Sequence, residues 1–297
     1  MSDSTAGLLK KISSATELQA VARTMKAAAA SNIGQYEQAA QAVAEYARVI
    51  DLGLGACFRE MQYKSLAPEQ TSAAGVATAG AVVFGSDQGL VGRFNEIVAD
   101  FALETLTALP GKPQLWVIGE RVYTRLQDSG LPLQSVFNVP NSVQAISPLV
   151  GQILLAYEAF DRKQCIDELY LFYNRTTSGA VYAPVRRRLL PLDAPWRRQL
   201  AALPWPSPNL PEVMGGGAAL RALIREYLFV SLFRAAAESL SSENASRLAA
   251  MQRADKNIDE LLENLHDAFH RLRQNSIDNE LFDVISGYEA LSKEKPA

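Results

Sequence analysis

Cysteine and histidine are nearly absent from this chain, with two of each in 297 residues. Cys57 and Cys165 stand alone, outside any CxxC pair. That excludes a disulfide framework and a cysteine-held structural zinc, and it suits a reducing compartment. The two histidines, His266 and His270 of "HDAFH", lie four apart on one helical face. The spacing suits zinc, but a zinc protease would need glutamate in second position and a third ligand. A solvated or interface face is the expectation. No strongly apolar run approaches the roughly 20 residues that span a bilayer, and the opening "MSDSTAGLLKK" lacks an apolar signal core. Neither insertion nor export is expected. A net charge of −3 offers nothing to nucleic acid or to an anionic membrane surface. Asn174-Arg-Thr and Asn244-Ala-Ser match the glycosylation pattern and, without a signal core, read as accidents.

Proline is missing from both ends. Thirteen of the fourteen prolines lie between Pro68 and Pro211, and the last is Pro296. Residues 1–67 and 212–295 are therefore free of the strongest helix breaker, which divides the chain into 1–67, 68–211 and 212–297. In the first segment Leu8, Ile12, Ala15, Ala22, Met25, Ala29, Ile33, Tyr36, Ala40, Val43, Ala47 and Ile50 recur in steps of three and four. Sustained spacing of this kind marks a coiled-coil helix. About 50 residues give a rod of about 75 Å, with Gly34 a local weak point worth about 1 kcal/mol against alanine. The last segment carries one stripe, Met251, Ile258, Leu262, Leu265, Phe269 and Leu272. After a slip in phase, a second follows: Ile277, Leu281, Val284 and Tyr288. Two such helices should pair antiparallel.

The middle alternates. "AGAVVFGS", "PQLWVIGE", "LPLQSVFNV", "IDELYLFYNR" and "VYAPVRRRLLPL" predict strands. "NEIVADFALETLTAL", "RVYTRLQDSG" and "SPLVGQILLAYEAFDRK" predict the helices between them. Strand–helix alternation predicts an α/β, Rossmann-like layer on a largely parallel sheet. Residues 191–217, with six prolines and "GGG", predict a loop back to the terminal helix.

The chemistry is sparse. "GSDQGLVGRFN", 85–95, joins a strand to a helix, as phosphate-binding loops do. A P-loop needs GxxxxGK[ST] and a dinucleotide loop GxGxxG; this one reads GxxxGxxG, with "GR" and no lysine. "RRR", 186–188, has no aromatic stacking platform beside it, so nucleic acid is not expected; an edge strand protected by charge is. No GxSxG elbow occurs. "RQNSIDNELFDVISG", 273–287, mixes a regular apolar phase with a dense polar set.

Three stretches, in order, resemble the gamma subunit of F-type ATP synthases, the central rotor shaft. "KKISSATELQAVARTMKAAAAS" resembles its N-terminal shaft, with Ile12, Ser14, Met25 and Ala29-Ala30-Ser31 on matching positions. "GSDQGLVGRFN" resembles the signature (S/T)D(R/K)GLCGG(L/F)N, and "AAMQRADKN" through "RQNSIDNELFDVISG" resembles the C-terminal signature. The resemblance implies a subunit with no catalytic site or cofactor of its own. Its terminal helices would wind together inside a ring of alpha and beta subunits. Its α/β part would sit below, against the epsilon subunit and the membrane ring of c subunits, peripheral to the cytoplasmic face of the membrane. Such an asymmetric shaft biases each beta subunit by the difference in its contact energy with open and closed forms; about 1.4 kcal/mol is a tenfold affinity change.

Residue by residue, the resemblance puts Arg23 and Met25 near a beta-subunit contact and Gln88, Gly89 and Leu90 at the glycine-loop contact. It puts Arg273, Gln274 and Ser276 at a C-terminal catch bonded to alpha and beta subunits, with Asp278 beside them where threonine is usual. Gln88 stands for arginine or lysine, Val91 for cysteine and Arg93 for the second glycine, the marks of a divergent branch. The competing expectation is a soluble nucleotide-binding α/β enzyme with helical extensions, whose binding Gly89→Val would abolish.

Overall fold

The computed structural model describes residues 4–64, 78–164, 166–177, 180–207, 209 and 216–293. The expected segment boundaries, after residues 67 and 211, lie outside the described residues. Two compact units are present: Ala29–Arg247, and Met1–Ala28 together with Leu248–Ala297.

The larger unit is built on a five-stranded sheet of order β3-β2-β1-β4-β5. Its strands are β1 (Ala79–Phe84), β2 (Gln114–Ile118), β3 (Leu133–Phe137), β4 (Glu168–Thr177) and β5 (Ala180–Leu190). β1 pairs parallel with β2 and β4, and β2 with β3. β4 and β5 pair antiparallel, and β5, last in the order, is an edge strand, as the arginine run predicted. β1 is buried along its whole length, as a parallel strand covered on both faces must be. Its side chains part by the twofold alternation of a strand. Ala79, Ala81 and Val83 share one core with α2 (Phe94–Thr107) and α3 (Glu120–Gln127) through Val98, Ala102, Leu106, Val122 and Leu126. Val82 and Phe84 share the other with α4 (Ile146–Gln164), through Ile146, Val150 and Ile153. That second core also takes Tyr36, Ile50 and Leu54 of α1 (Thr5–Lys64) and Leu232, Ala236 and Leu240 of α6 (Gly217–Lys293). Full burial of each large apolar side chain is worth about 1.5–3 kcal/mol. The stretch Val143–Arg162 is long and apolar enough by composition to cross a bilayer, and α4 turns the apolar face of that stretch into this core.

One expectation is corrected here. The stretch 191–217 is not all loop: α5 (Ala194–Ala201) forms within it. Pro195 falls in the first helical turn, where its missing N–H has no partner to lose and its fixed φ already suits a helix. α5 ends hard against α1. A Cβ on Gly55 would meet the Leu200 carbonyl oxygen at 2.3 Å, so only glycine permits that crossing.

In the smaller unit the leading part of α1 and the trailing part of α6 run antiparallel, as expected, with Arg23 facing Asp255 and Gln19 facing Asp259. Leu8, Ala15 and Ala22 are buried on the α1 side. The seam is less apolar than its spacing predicts. The rung between Met251 and Ile258 is Asp255, and those completing the α1 pattern are Gln19, which is buried, and Lys26. Lys26 Nζ lies 2.8 Å and Arg23 Nε 2.9 Å from Asp255. A buried polar rung costs stability and fixes register.

Candidate functional site

The glycine loop, 85–93, leaves the C-terminal end of β1. Gly85 is required by space, since a Cβ there would lie 2.4 Å from Val122. Every link that follows is to the chain itself. Asn95 Oδ1 accepts from Ser86 N at 2.8 Å, and Asn95 Nδ2 donates to Ser86 Oγ at 2.8 Å. Ser86 Oγ donates to the Gln88 carbonyl at 2.9 Å. The Asp87 carboxylate accepts from Glu120 N at 3.0 Å and from Val139 N at 2.8 Å, binding the loops that follow β2 and β3 to this one. Ser246 of α6 donates its hydroxyl to the Val91 carbonyl at 2.5 Å. The loop base is thereby fastened to the long C-terminal helix.

The apex differs from the base. Leu90 has a φ of 62°, a left-handed conformation disfavoured for a branched side chain. Its side chain is also 61% exposed. Gln88 is exposed, and Gly89 half-buried. Strain concentrated beside an exposed apolar group is a mark of a contact surface. An open groove of about 960 Å³ runs from Gly89–Gly92 between α2 and α3, bordered by Glu96, Arg121 and Arg125.

In an open parallel sheet a ligand is received outside the carboxyl ends of the strands, where the order reverses. Here that place lies between β1 and β4, and the chain's own groups occupy it. Asn174 of β4, 0% exposed, donates Nδ2 to the Phe94 carbonyl at 2.8 Å. Ser242 of α6 donates to the Asn174 carbonyl at 2.7 Å. The glycines thus serve a tight turn packed on α3 and tied to α6. Asn174 and Asn244 are both buried with their amide nitrogens engaged, as accidental matches to the glycosylation pattern would be.

In the smaller unit, Arg23 points its guanidinium at Asp255 and at Asp259, 3.5 Å away, while Met25 is half-buried. Lys26 first, and then Arg23, hold the Asp255 carboxyl below the usual carboxylate range through hydrogen bonds. Arg273, Gln274, Ser276 and Asp278 are all exposed on α6. The register of the ion pairs carries Thr5, where α1 begins, to about Arg273, so the helix face beyond it has no α1 partner. Ile277, Leu281, Phe282, Val284 and Ile285 are 49–71% exposed there. The second apolar stripe therefore faces outward, apart from Tyr288, whose side chain lies outside the described residues. The structure groups Gln88 with Gly89 and Leu90, and Arg273 with Gln274, Ser276 and Asp278. Arg23 lies 14–18 residues short of Arg273 along the pairing, roughly 20–27 Å at the helical rise.

A family model described as ATP synthase matches residues 4–291. The chain is 30% identical to an ATP synthase gamma chain of Sorangium cellulosum, over 96% of its own length and 98% of that relative. The chain belongs to the ATP synthase gamma-chain family. A gamma chain of Moorella thermoacetica is 27% identical over 96% of this chain and 98% of that one. Among solved structures, a chain of the Euglena gracilis mitochondrial ATP synthase, in a structure of OSCP, F1 and c-ring, superposes with a TM-score of 0.65 at 14% identity. That match covers 99% of this chain and 97% of the other. A chain from the central stalk and c-ring of the Tetrahymena thermophila mitochondrial enzyme gives 0.55 at 20%, covering 79% and 99%. Gamma chains are the non-catalytic rotor subunits of the synthase, with catalysis in the beta subunits. The fold agrees with that of central-stalk chains.

Of the residues that fasten the loop, Ser242 and Ser246 do not stand out in the sequence, and Asn174 does so only as a match to the glycosylation pattern. A weak signal for the serines exists: Ser239, Ser242 and Ser246 recur at helical spacing, and a serine inside a helix commonly turns its hydroxyl to a carbonyl.

Proposed function

We propose that the Gln88–Leu90 apex and the Arg273–Asp278 face are the surfaces through which this rotor subunit meets the stationary head. As a gamma chain it couples ion flow through the membrane ring to ATP synthesis or hydrolysis at alpha and beta subunits by rotating. The chain is part of a membrane-associated complex, and its seat is the cytoplasmic face, against the epsilon subunit and the c-ring. The observation that carries the contact assignment is the division within the glycine loop. Its base is bonded to α6 through Ser246, while its strained apex exposes Leu90. A load taken at the apex passes through a hydrogen-bonded base into the shaft helix.

The exposed Arg273 guanidinium and Gln274 amide suit a carboxylate in a charge-assisted, two-point bond. Arg23 and Met25 belong to the same contact set, with Arg23 shared between Asp255 and the neighbouring subunit. The experiment is Arg273→Ala with Gln274→Ala, introduced into the assembled complex. Coupled ATP synthesis falls while the unfolding free energy of the chain stays within about 0.5 kcal/mol of the parent, since both side chains are exposed. Unchanged synthesis would remove the catch from this position.

A further inference from the structure

Beneath the loop apex lies a second, smaller cavity of about 200 Å³, lined among others by Tyr36, Asp87, Gln88, Glu243 and Arg247. Arg247 Nη2 donates to Glu243 Oε1 at 2.7 Å across one turn of α6. The pair is deeply buried, with Glu243 only 5% exposed. Two of its atoms are left over. Glu243 Oε2 and Arg247 Nε are both buried and without a hydrogen-bond partner among the described residues. One is an acceptor in want of a donor, the other a donor in want of an acceptor, and burial makes both vacancies costly. A single primary amide answers both at once, because it carries an NH2 and a carbonyl side by side.

Gln88 brings such an amide to the wall of this cavity. Its backbone is already fixed, since Ser86 Oγ holds its carbonyl. Its side chain is exposed and makes no hydrogen bond among the described residues. We propose that Gln88 closes onto the Glu243–Arg247 pair, its amide nitrogen donating to Glu243 Oε2 and its carbonyl accepting from Arg247 Nε. Gln88 is then a latch with two positions. Inward, it ties the loop apex to α6; outward, as in this structure, it faces the neighbouring subunit. The outward role rests on the reading of Gln88 as a stator contact; the inward one does not.

A double-mutant cycle on the full chain tests the latch. Gln88→Met keeps the length of the side chain and removes its amide. Glu243→Leu with Arg247→Leu removes both unpaired atoms, a replacement that buried pairs often tolerate. Gln88→Met lowers the unfolding midpoint of the parent by roughly 2 °C or more, and leaves that of the Leu/Leu chain unchanged. Equal shifts in the two backgrounds overturn the proposal, as does a cycle in which Asn32→Ala, from the same cavity wall, replaces Gln88→Met in this coupling. A readout in the parent chain alone stands whether or not the Leu/Leu chain folds. In protein labelled with 15N-glutamine, the Gln88 side-chain NH2, identified by its loss in Gln88→Met, exchanges with water at least threefold more slowly than the NH2 of Gln274. Equal exchange rates overturn the latch. Association of the Gln88→Met chain with an alpha-beta head reports separately on the stator contact, so that contact can fail while the latch stands.

Discussion

Ser246→Ala isolates the link between the shaft helix and the glycine loop. The hydroxyl donates to the Val91 carbonyl at 2.5 Å, and both residues are buried, Val91 at 1% exposure. Removing it strands a buried acceptor, at a cost of about 1–3 kcal/mol. Alanine is the better helix former by about 0.5 kcal/mol, which offsets part of that loss. A net destabilisation of about 1–2 kcal/mol remains, or a fall in the unfolding midpoint of roughly 2–6 °C for a chain of this size. The control lies on the same helix. Ser241 Oγ is 3.5 Å from Glu37, at the limit of a hydrogen bond, so Ser241→Ala shifts stability by no more than about 0.5 kcal/mol. Calorimetry gives the midpoints, and amide exchange of residues 88–93 gives the local effect. Faster exchange in that segment accompanies the Ser246 variant alone. Equal midpoints for the two variants, with loop exchange unchanged, would refute the idea that α6 carries the loop through this bond.

Leu90→Gly tests the strained apex. Glycine relieves a left-handed strain of about 1–2 kcal/mol and gives back about 0.5–1 kcal/mol through a more flexible unfolded chain. Stability therefore holds or rises slightly while coupled synthesis falls; full activity in that variant would show that the exposed side chain is not a contact. Acid tests the smaller unit. The Asp255 carboxyl titrates below its ordinary value in the folded state, so its contribution is complete above the ordinary carboxylate pKa and is lost as pH falls through that value toward the depressed one. Below about pH 5 the parent chain loses helical stability more steeply than Asp255→Asn, followed by circular dichroism; parallel curves would remove Asp255 from the account.

The fold was largely legible because its signals are local. Proline placement marked the long helices, and strand–helix alternation marked the sheet. Three things were not legible. α5 hid because a proline count ignores position, and Pro195 sits in the first turn, where proline favours a helix. The polar rungs at Gln19, Lys26 and Asp255 hid because a search for apolar spacing passes over them, and their partners lie more than 200 residues away. The fastening of the loop hid for the same reason, since a serine on α6 acquires its meaning only from a carbonyl 155 residues earlier. The candidate contact residues came from resemblance and not from spacing; the exposure of Gln88 and Leu90 at the loop apex, and of Arg273, Gln274, Ser276 and Asp278 on α6, is the structural contribution.

The central claim is that this chain turns inside a stationary head, and rotation itself is its most direct measurement. The full chain, labelled at an exposed position such as Leu155 on α4, is assembled with alpha and beta subunits fixed to a surface. On addition of ATP the account predicts sustained rotation of the label in one direction, with hydrolysis in the assembly and none in the chain alone. Hydrolysis by the assembly with the label stationary, or ATP hydrolysis by the isolated chain, would contradict it.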